Sequence, residues 1–268
     1  MKKKYIIIAS LSLFFGSINA QTPKGISKDS SIFKSWATGI SLDRGWVNIS
    51  DTSIKDKGTN KASFGYPSAA LGKAGVSTLD VVSLGDGGKA TLTFDRPITN
   101  GFGADFAVFE NGMKLSADSI FSELAFVEVS SDGSHFVRFP AGAKTQTNKQ
   151  VGSYSPIWSD NITNMAGNLL QGYGTGFDLN DIADSANIDI QNIKYVRIID
   201  AVGSIDNKYA TKDSKGNKVN DPFPTPFWSS GFDLDAVGVI HAGQPYAVST
   251  FESFAIDADS YFMPSATD

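Results

Sequence analysis

The chain has 268 residues, a formal net charge of −5, no cysteine and two histidines. Those values exclude a disulfide scaffold, a thiolate metal centre and the basic stripe of a nucleic-acid-binding protein. Hydrophobic residues make up 41% of the chain, enough for a sizeable core, and only four of the 28 acidic residues are glutamate. Aspartate favours turns and oxygen-rich cation sites where glutamate favours helices, so this bias predicts a loop-rich β protein.

Residues 1–20 have the layout of a secretory signal peptide. Lys2, Lys3 and Lys4 precede an apolar run from Ile6 to Phe15, and Ala20 ends a small-residue cleavage site. The apolar run is shorter than the ~20 residues a membrane-spanning helix needs. The expectation is an exported protein, at the cell surface, in the periplasm or outside the cell, with no membrane span once the signal is removed. Residues 21–60 carry Phe33, Trp36 and Trp46 among polar residues and glycine, which predicts an irregular N-terminal arm anchored by a few aromatic rings.

From residue 61 to 268 apolar and turn residues alternate at strand length, predicting one β-sandwich domain. Gly85, Asp86, Gly87 and Gly88 suggest a hairpin turn, and the strand after it ends near Pro97. In the next strand Asp105, Ala107, Phe109 and Asn111 share one face, and Ala104, Phe106, Val108 and Glu110 the other. Residues 123–139 predict two strands joined at Ser131, Asp132 and Gly133. Residues 140–185 lack periodicity and predict a long loop containing Tyr154, Trp158 and Tyr173. Val196, Ile198 and Asp200 share a face of the following strand, which ends in that acid.

A turn at Lys215, Gly216 and Asn217 and a proline-stiffened loop with Phe227 and Trp228 lead to the last clear strand, residues 231–243. Strict alternation there places Phe232, Leu234, Ala236 and Ile240 on one face, and Asp233, Asp235, Val237 and Val239 on the other. The fold class expected is all-β, a β-sandwich of jelly-roll type with long aromatic-containing loops.

A carboxylate on a core-facing position needs a hydrogen-bond donor, a charge partner or a metal. Asp105, Glu110, Asp200, Asp233 and Asp235 are therefore candidate ligands of a calcium ion, which takes six to eight oxygens from flexible loops, the alternative being that they cap turns and strand ends. Tyr154, Trp158, Tyr173, Phe227 and Trp228 are candidates for a ligand-binding surface, since an aromatic ring in a loop offers flat apolar area and, in tyrosine and tryptophan, a polar handle. His135 and His241 are the only histidines, and no serine elbow precedes a helix, so no catalytic residues are assigned. Glu110 and Glu128 are a possible carboxylate pair for glycoside hydrolysis, the alternative function, with an adhesion or structural module that takes no small ligand as a third.

The segments GADFAVFENG, AFVEVSSDGSHFVRFP, YVRIIDAVGSID and DPFPTPFWSSGFDLDAVGVI together resemble a family of bacterial exported, all-β cell-surface proteins, over roughly residues 64–242. Similar proteins often accompany outer-membrane TonB-dependent receptors, and some relatives are implicated in cobalamin capture. The resemblance implies a non-catalytic binding protein that captures a small molecule, cobalamin or a glycan, with such a receptor as a partner. It carries over no ligand-binding residue. A lipid-bearing cysteine, which anchored members use, does not occur in this sequence.

Overall fold

A computed structural model describes residues 25–116, 119–121, 123–157 and 162–246. The signal-like segment and the tail beyond Tyr246 lie outside these residues.

Among the described residues fifteen strands follow one another, separated by loops and short 3-10 turns. They are β1 (Ile26–Ser27), β2 (Ser35–Trp36), β3 (Gly39–Asp43), β4 (Val82–Ser83), β5 (Lys89–Ile98), β6 (Phe106–Glu110), β7 (Met113–Lys114) and β8 (Ile120–Phe121). After them come β9 (Ala125–Ser130), β10 (Val137–Arg138), β11 (Gly142–Ala143), β12 (Ile162–Thr163), β13 (Tyr173–Phe177), β14 (Ile193–Asp200) and β15 (Asp233–Val239). Two antiparallel sheets form a β-sandwich. The first runs β1-β13-β6-β15-β2, with β4 also pairing with β15, and the second runs β10-β9-β14-β5-β3. Two short hairpins, β7–β8 and β11–β12, stand outside both sheets. No described helix is long and apolar enough to cross a membrane.

Alternation explains the core. Ala125, Val127 and Val129 of β9, Val196 and Ile198 of β14, and Phe106 and Val108 of β6 all point between the sheets. The centre of this layer is aromatic. Phe106 stacks on Phe177 at 5.3 Å between ring centroids, and Phe139 meets Phe177 edge-on at 5.0 Å. The outer faces are partly covered as well. Phe126 and Leu124 pack beneath the β11–β12 hairpin and Ile157, while Phe109 packs against Phe33 and Trp36. Central strands such as β6 and β9 are therefore buried on both faces, which is why they are nearly continuous apolar runs.

Four expectations change. Residues 25–60 do not form an irregular arm alone, because they supply the edge strands β1, β2 and β3. The glycine-rich turn at 85–88 is not a hairpin: β4 pairs with β15 in the first sheet and β5 lies in the second, so the turn carries the chain across the sandwich. Gly85 and Gly87 both have positive φ there, and a Cβ on Gly85 would lie 2.7 Å from the Gly45 carbonyl carbon. The stretch 140–185 contains the β11–β12 hairpin and β13, so it is structured despite its weak periodicity.

The fourth change is in β15. Its register against β6 shifts between Leu234 and Ala236, a bulge that resets the alternation. Phe232 and Leu234 face the core before it, and Val237 and Val239 after it. Ala236 joins the outer cluster with Phe109. The hairpin expected at residues 131–133 does form, with Val137 opposite Val129 and Arg138 opposite Glu128.

Replacing Phe177 with alanine removes a ring that touches two others at the centre of the sandwich. The expected loss is ~3–5 kcal/mol of stability, as in other large-to-small aromatic core changes. Denaturant unfolding with a lowered midpoint and an unchanged slope is the measurement that checks it.

Candidate functional site

Three of the five aromatic residues named from the sequence converge. Tyr154 stacks on Phe227 at 5.5 Å between centroids and lies 6.4 Å from Phe121. Trp228 meets Phe64 edge-on at 4.8 Å. These rings, with Leu79 and Met113, wall an open cleft of about 460 Å³. Tyr154 and Leu79 are 72% and 69% exposed, so much of the apolar wall faces solvent rather than the core. Tyr173 lies elsewhere, at the start of β13 opposite Ser27. Trp158 is outside the described residues.

The wall is held by the backbone. The amides of Ser63 and Phe64 both donate to the Trp228 carbonyl, at 2.7 and 3.0 Å. The Trp228 amide in turn donates to Asp56 at 2.8 Å, and the Lys57 ammonium sits 3.0 Å from the centroid of the indole. Cation–π contact and a fixed main chain keep the ring in place at the rim.

The cleft's polar lining includes Glu123, Asp233, Asn111 and Thr225. Asp233 accepts hydrogen bonds from the Ser83 hydroxyl and, at 3.0 Å, from the Asn111 amide. Burial pushes its carboxyl up to about 7, against the pull of Ser83, Asn111 and the nearby Arg44 guanidinium. Arg44 is itself fixed by donating to the carbonyls of Phe64, Ser83 and Gly65.

Behind Asp233 and Glu123 lies more acid. Glu110, Glu123, Asp200 and Asp221 are all buried, and burial raises each carboxyl above the usual carboxylate range. Neighbouring carboxylates push in the same direction: Asp233 on Glu110 and on Glu123, Asp86 on Asp200, and Asp200 on Asp221. Asp86 is raised as well, chiefly by burial. The topology explains the concentration. Glu110 ends β6, Asp200 ends β14 and Glu123 precedes β9, each in phase with core-facing residues of its strand, so all three point between the sheets at one end of the sandwich.

The five acids named as metal ligands therefore divide. Glu110, Asp200 and Asp233 lie in this end cluster. Asp105 lies at the opposite end of β6 and is fully engaged, accepting from the Gly101 and Leu179 amides and from His241 Nδ1, each at 2.7 Å. Asp235 sits at the β15 bulge and accepts from the Gly75 amide at 2.7 Å. Both tie a loop to a strand, Asp105 through both of its oxygens and Asp235 through one, its Oδ2 having no hydrogen-bond partner. Asp86, Glu123 and Asp221 were not among the expected ligands. Asp86 was absorbed into a turn and Asp221 into a proline-rich loop, but Glu123 carried a signal, being in phase with Ala125, Val127 and Val129.

Glu110 and Glu128 do not share a cleft. Glu128 points to the outer face of the second sheet, where Arg138 and Arg197 hold its two oxygens at 2.9 and 2.8 Å through their Nε atoms. Glu110 points inward from the first sheet. This geometry does not supply the facing carboxylates a glycosidase needs. No family model matches the chain, and no curated protein matches it in sequence.

Asp235 generates a pH prediction. Burial raises its carboxyl to about 6; Asp80 adds to the rise, while the Gly75 amide and Lys28 oppose it. A folded-state pKa above the unfolded value means the stabilising contribution is complete below about pH 4 and is lost as pH rises through 6. Asp235→Asn keeps the acceptor for Gly75 and removes the titration. The variant is expected to match the parent chain near pH 4 and to exceed it by on the order of 2 kcal/mol at pH 8, read from urea unfolding at the two pH values.

Proposed function

We propose that this chain is a non-catalytic, exported binding protein that captures a small molecule in the aromatic cleft, with a glycan as the first candidate and cobalamin as the second. The observation that carries the reading is the convergence of Tyr154, Phe227 and Trp228 with Phe64 and Phe121 around one open cleft whose polar lining is rich in carboxylates. A sugar ring has an apolar C–H face and a hydroxyl edge. The aromatic wall suits the face, and Glu123, Asp233 and Asp56 are acceptors for the edge. The volume falls within the range of small-molecule sites, and is small enough that a ligand as large as cobalamin would engage it with only part of its surface.

The signal-like N-terminus and the resemblance to exported surface proteins support placement at the cell surface or in the periplasm, with an outer-membrane TonB-dependent receptor as the partner that takes over the captured ligand. The rings line a concave cleft of small-molecule size rather than a flat face. That favours capture over pure adhesion.

Isothermal calorimetry of the full chain against a glycan panel and against cobalamin tests the reading. Binding to a member of either class supports it and identifies the ligand, and folded protein that binds neither overturns it. Tyr154→Ala removes a ring that is 72% exposed, so the fold is expected to be unaffected while affinity falls roughly tenfold, about the worth of one aromatic stacking contact.

A further inference from the structure

Next to the cleft, sharing Glu123 and Thr225 with it, lies a small cavity with about 10 Å³ of room, the space of one water-sized sphere. It is lined by Asp86, Glu123, Asp200 and Asp221, together with Gly203, Thr225 and Gly231. Four carboxylates surround a space that fits one small particle. The charges shown to act on Glu123 are other carboxylates: Asp233, Asp200, Glu110 and Asp221.

Three of the four acids are held from behind by main-chain amides. Asp200 accepts from Gly87 at 2.9 Å and Phe232 at 2.8 Å, Asp221 from Leu124 at 3.0 Å, and Asp86 from Ile49 at 2.8 Å. A carboxylate has about four lone-pair sites, so these bonds orient each group and still leave acceptor capacity for the chamber. Glu123 differs. It is 5% exposed and lines the chamber, and its carboxylate takes no hydrogen bond from any described residue. Glu110, 2% exposed, stands next to it with both oxygens unpartnered; the Gly112 and Glu123 amides lower its carboxyl in part without reaching hydrogen-bond geometry.

We propose that this chamber binds one calcium ion, with Asp86, Glu123, Asp200 and Asp221 as its carboxylate ligands. The donors are all hard oxygen, and neither histidine lines the chamber, which disfavours zinc and copper. Calcium tolerates irregular shells of six to eight oxygens, whereas magnesium requires a near-ideal octahedron and usually retains several waters, for which the chamber has no room. Among the described residues no three acidic or histidine side chains already stand at ligand spacing around one point, so binding draws the carboxylates inward by side-chain rotation. The competing arrangement is a set of acids that share protons and never take a metal. Because Glu123 also lines the aromatic cleft, the ion would fix part of the cleft's polar lining.

The test uses the full chain and calcium alone, so its outcome is independent of what the cleft captures. After treatment with a chelator, calcium is expected to bind with one-to-one stoichiometry by calorimetry and native mass spectrometry. It is also expected to raise the melting temperature by roughly 5–10 °C at about a hundred times the Kd, with magnesium less effective. Glu123→Gln removes an ionisable carboxyl, and with it a calcium ligand, but no hydrogen bond from a described residue. It is expected to melt at or above the temperature of the metal-free parent while losing at least ~10-fold in calcium affinity, and Asp132→Asn, at an exposed acid outside the chamber, keeps the full response. A parent chain that neither binds calcium nor shifts its melt at millimolar concentrations overturns the proposal, as does a Glu123→Gln variant that retains the parent's calcium response.

Discussion

Burying acidic side chains between two sheets is the constraint on which this sandwich depends. Asp200, Asp221, Asp86, Glu110, Glu123 and Asp233 occupy one end of the interior, where each isolated charge would be expensive to keep out of water. Arg44 is the one cation shown acting on the group, and it reaches only Asp233. What keeps the end intact is main-chain hydrogen bonding. Gly87 and Phe232 donate to one acid, Leu124 to another and Ile49 to a third, so segments far apart in sequence are tied to each other through carboxylates.

That arrangement gives the glycine-rich turn its role. It passes from the first sheet to the second, presents the Gly87 amide to Asp200 and brings Asp86 alongside it. Glycine is needed because the chain must bend with positive φ while lying directly against Gly45. The opposite end of the sandwich has a different solution. There a single acid, Asp105, gathers two amides and His241, so one carboxylate closes the loop at residues 101–105 and the chain leaving β15. One end is closed by a saturated acid, and the other carries surplus acceptors beside an open aromatic wall.

Much of the sandwich could be read from the residues because alternation in β6, β9 and β14 is a local property of the chain. It grouped Val196 and Ile198 with Asp200, and Phe106 and Val108 with Glu110, and both of these faces turn toward the core. The site was less legible. Tyr154, Phe227 and Trp228 stood out as loop aromatics, but Tyr173 looked equivalent and belongs to a sheet edge, a difference set by pairing with Ser27 far along the chain. Asp86 and Asp221 lie in segments whose glycine and proline content predicts turns without saying what the turns face. Glu123 could have been found by extending the phase of β9 two residues upstream. Its partners could not, because they arrive from other strands.

The bulge in β15 lets seven consecutive residues perform three tasks. Asp233 faces the cleft, Asp235 anchors the Gly75 loop, and Val237 and Val239 fill the core. The extra residue is Asp235 itself, and the change of phase at it is what turns the two valines into the core. In a descendant of this gene, a codon lost there would leave every neighbouring residue identical and still turn the two valines out of the core. Substitutions along β15 are therefore open to gradual drift in a way that its length is not, and a comparison of homologues that scores only residue identity would miss the change that matters most in this strand.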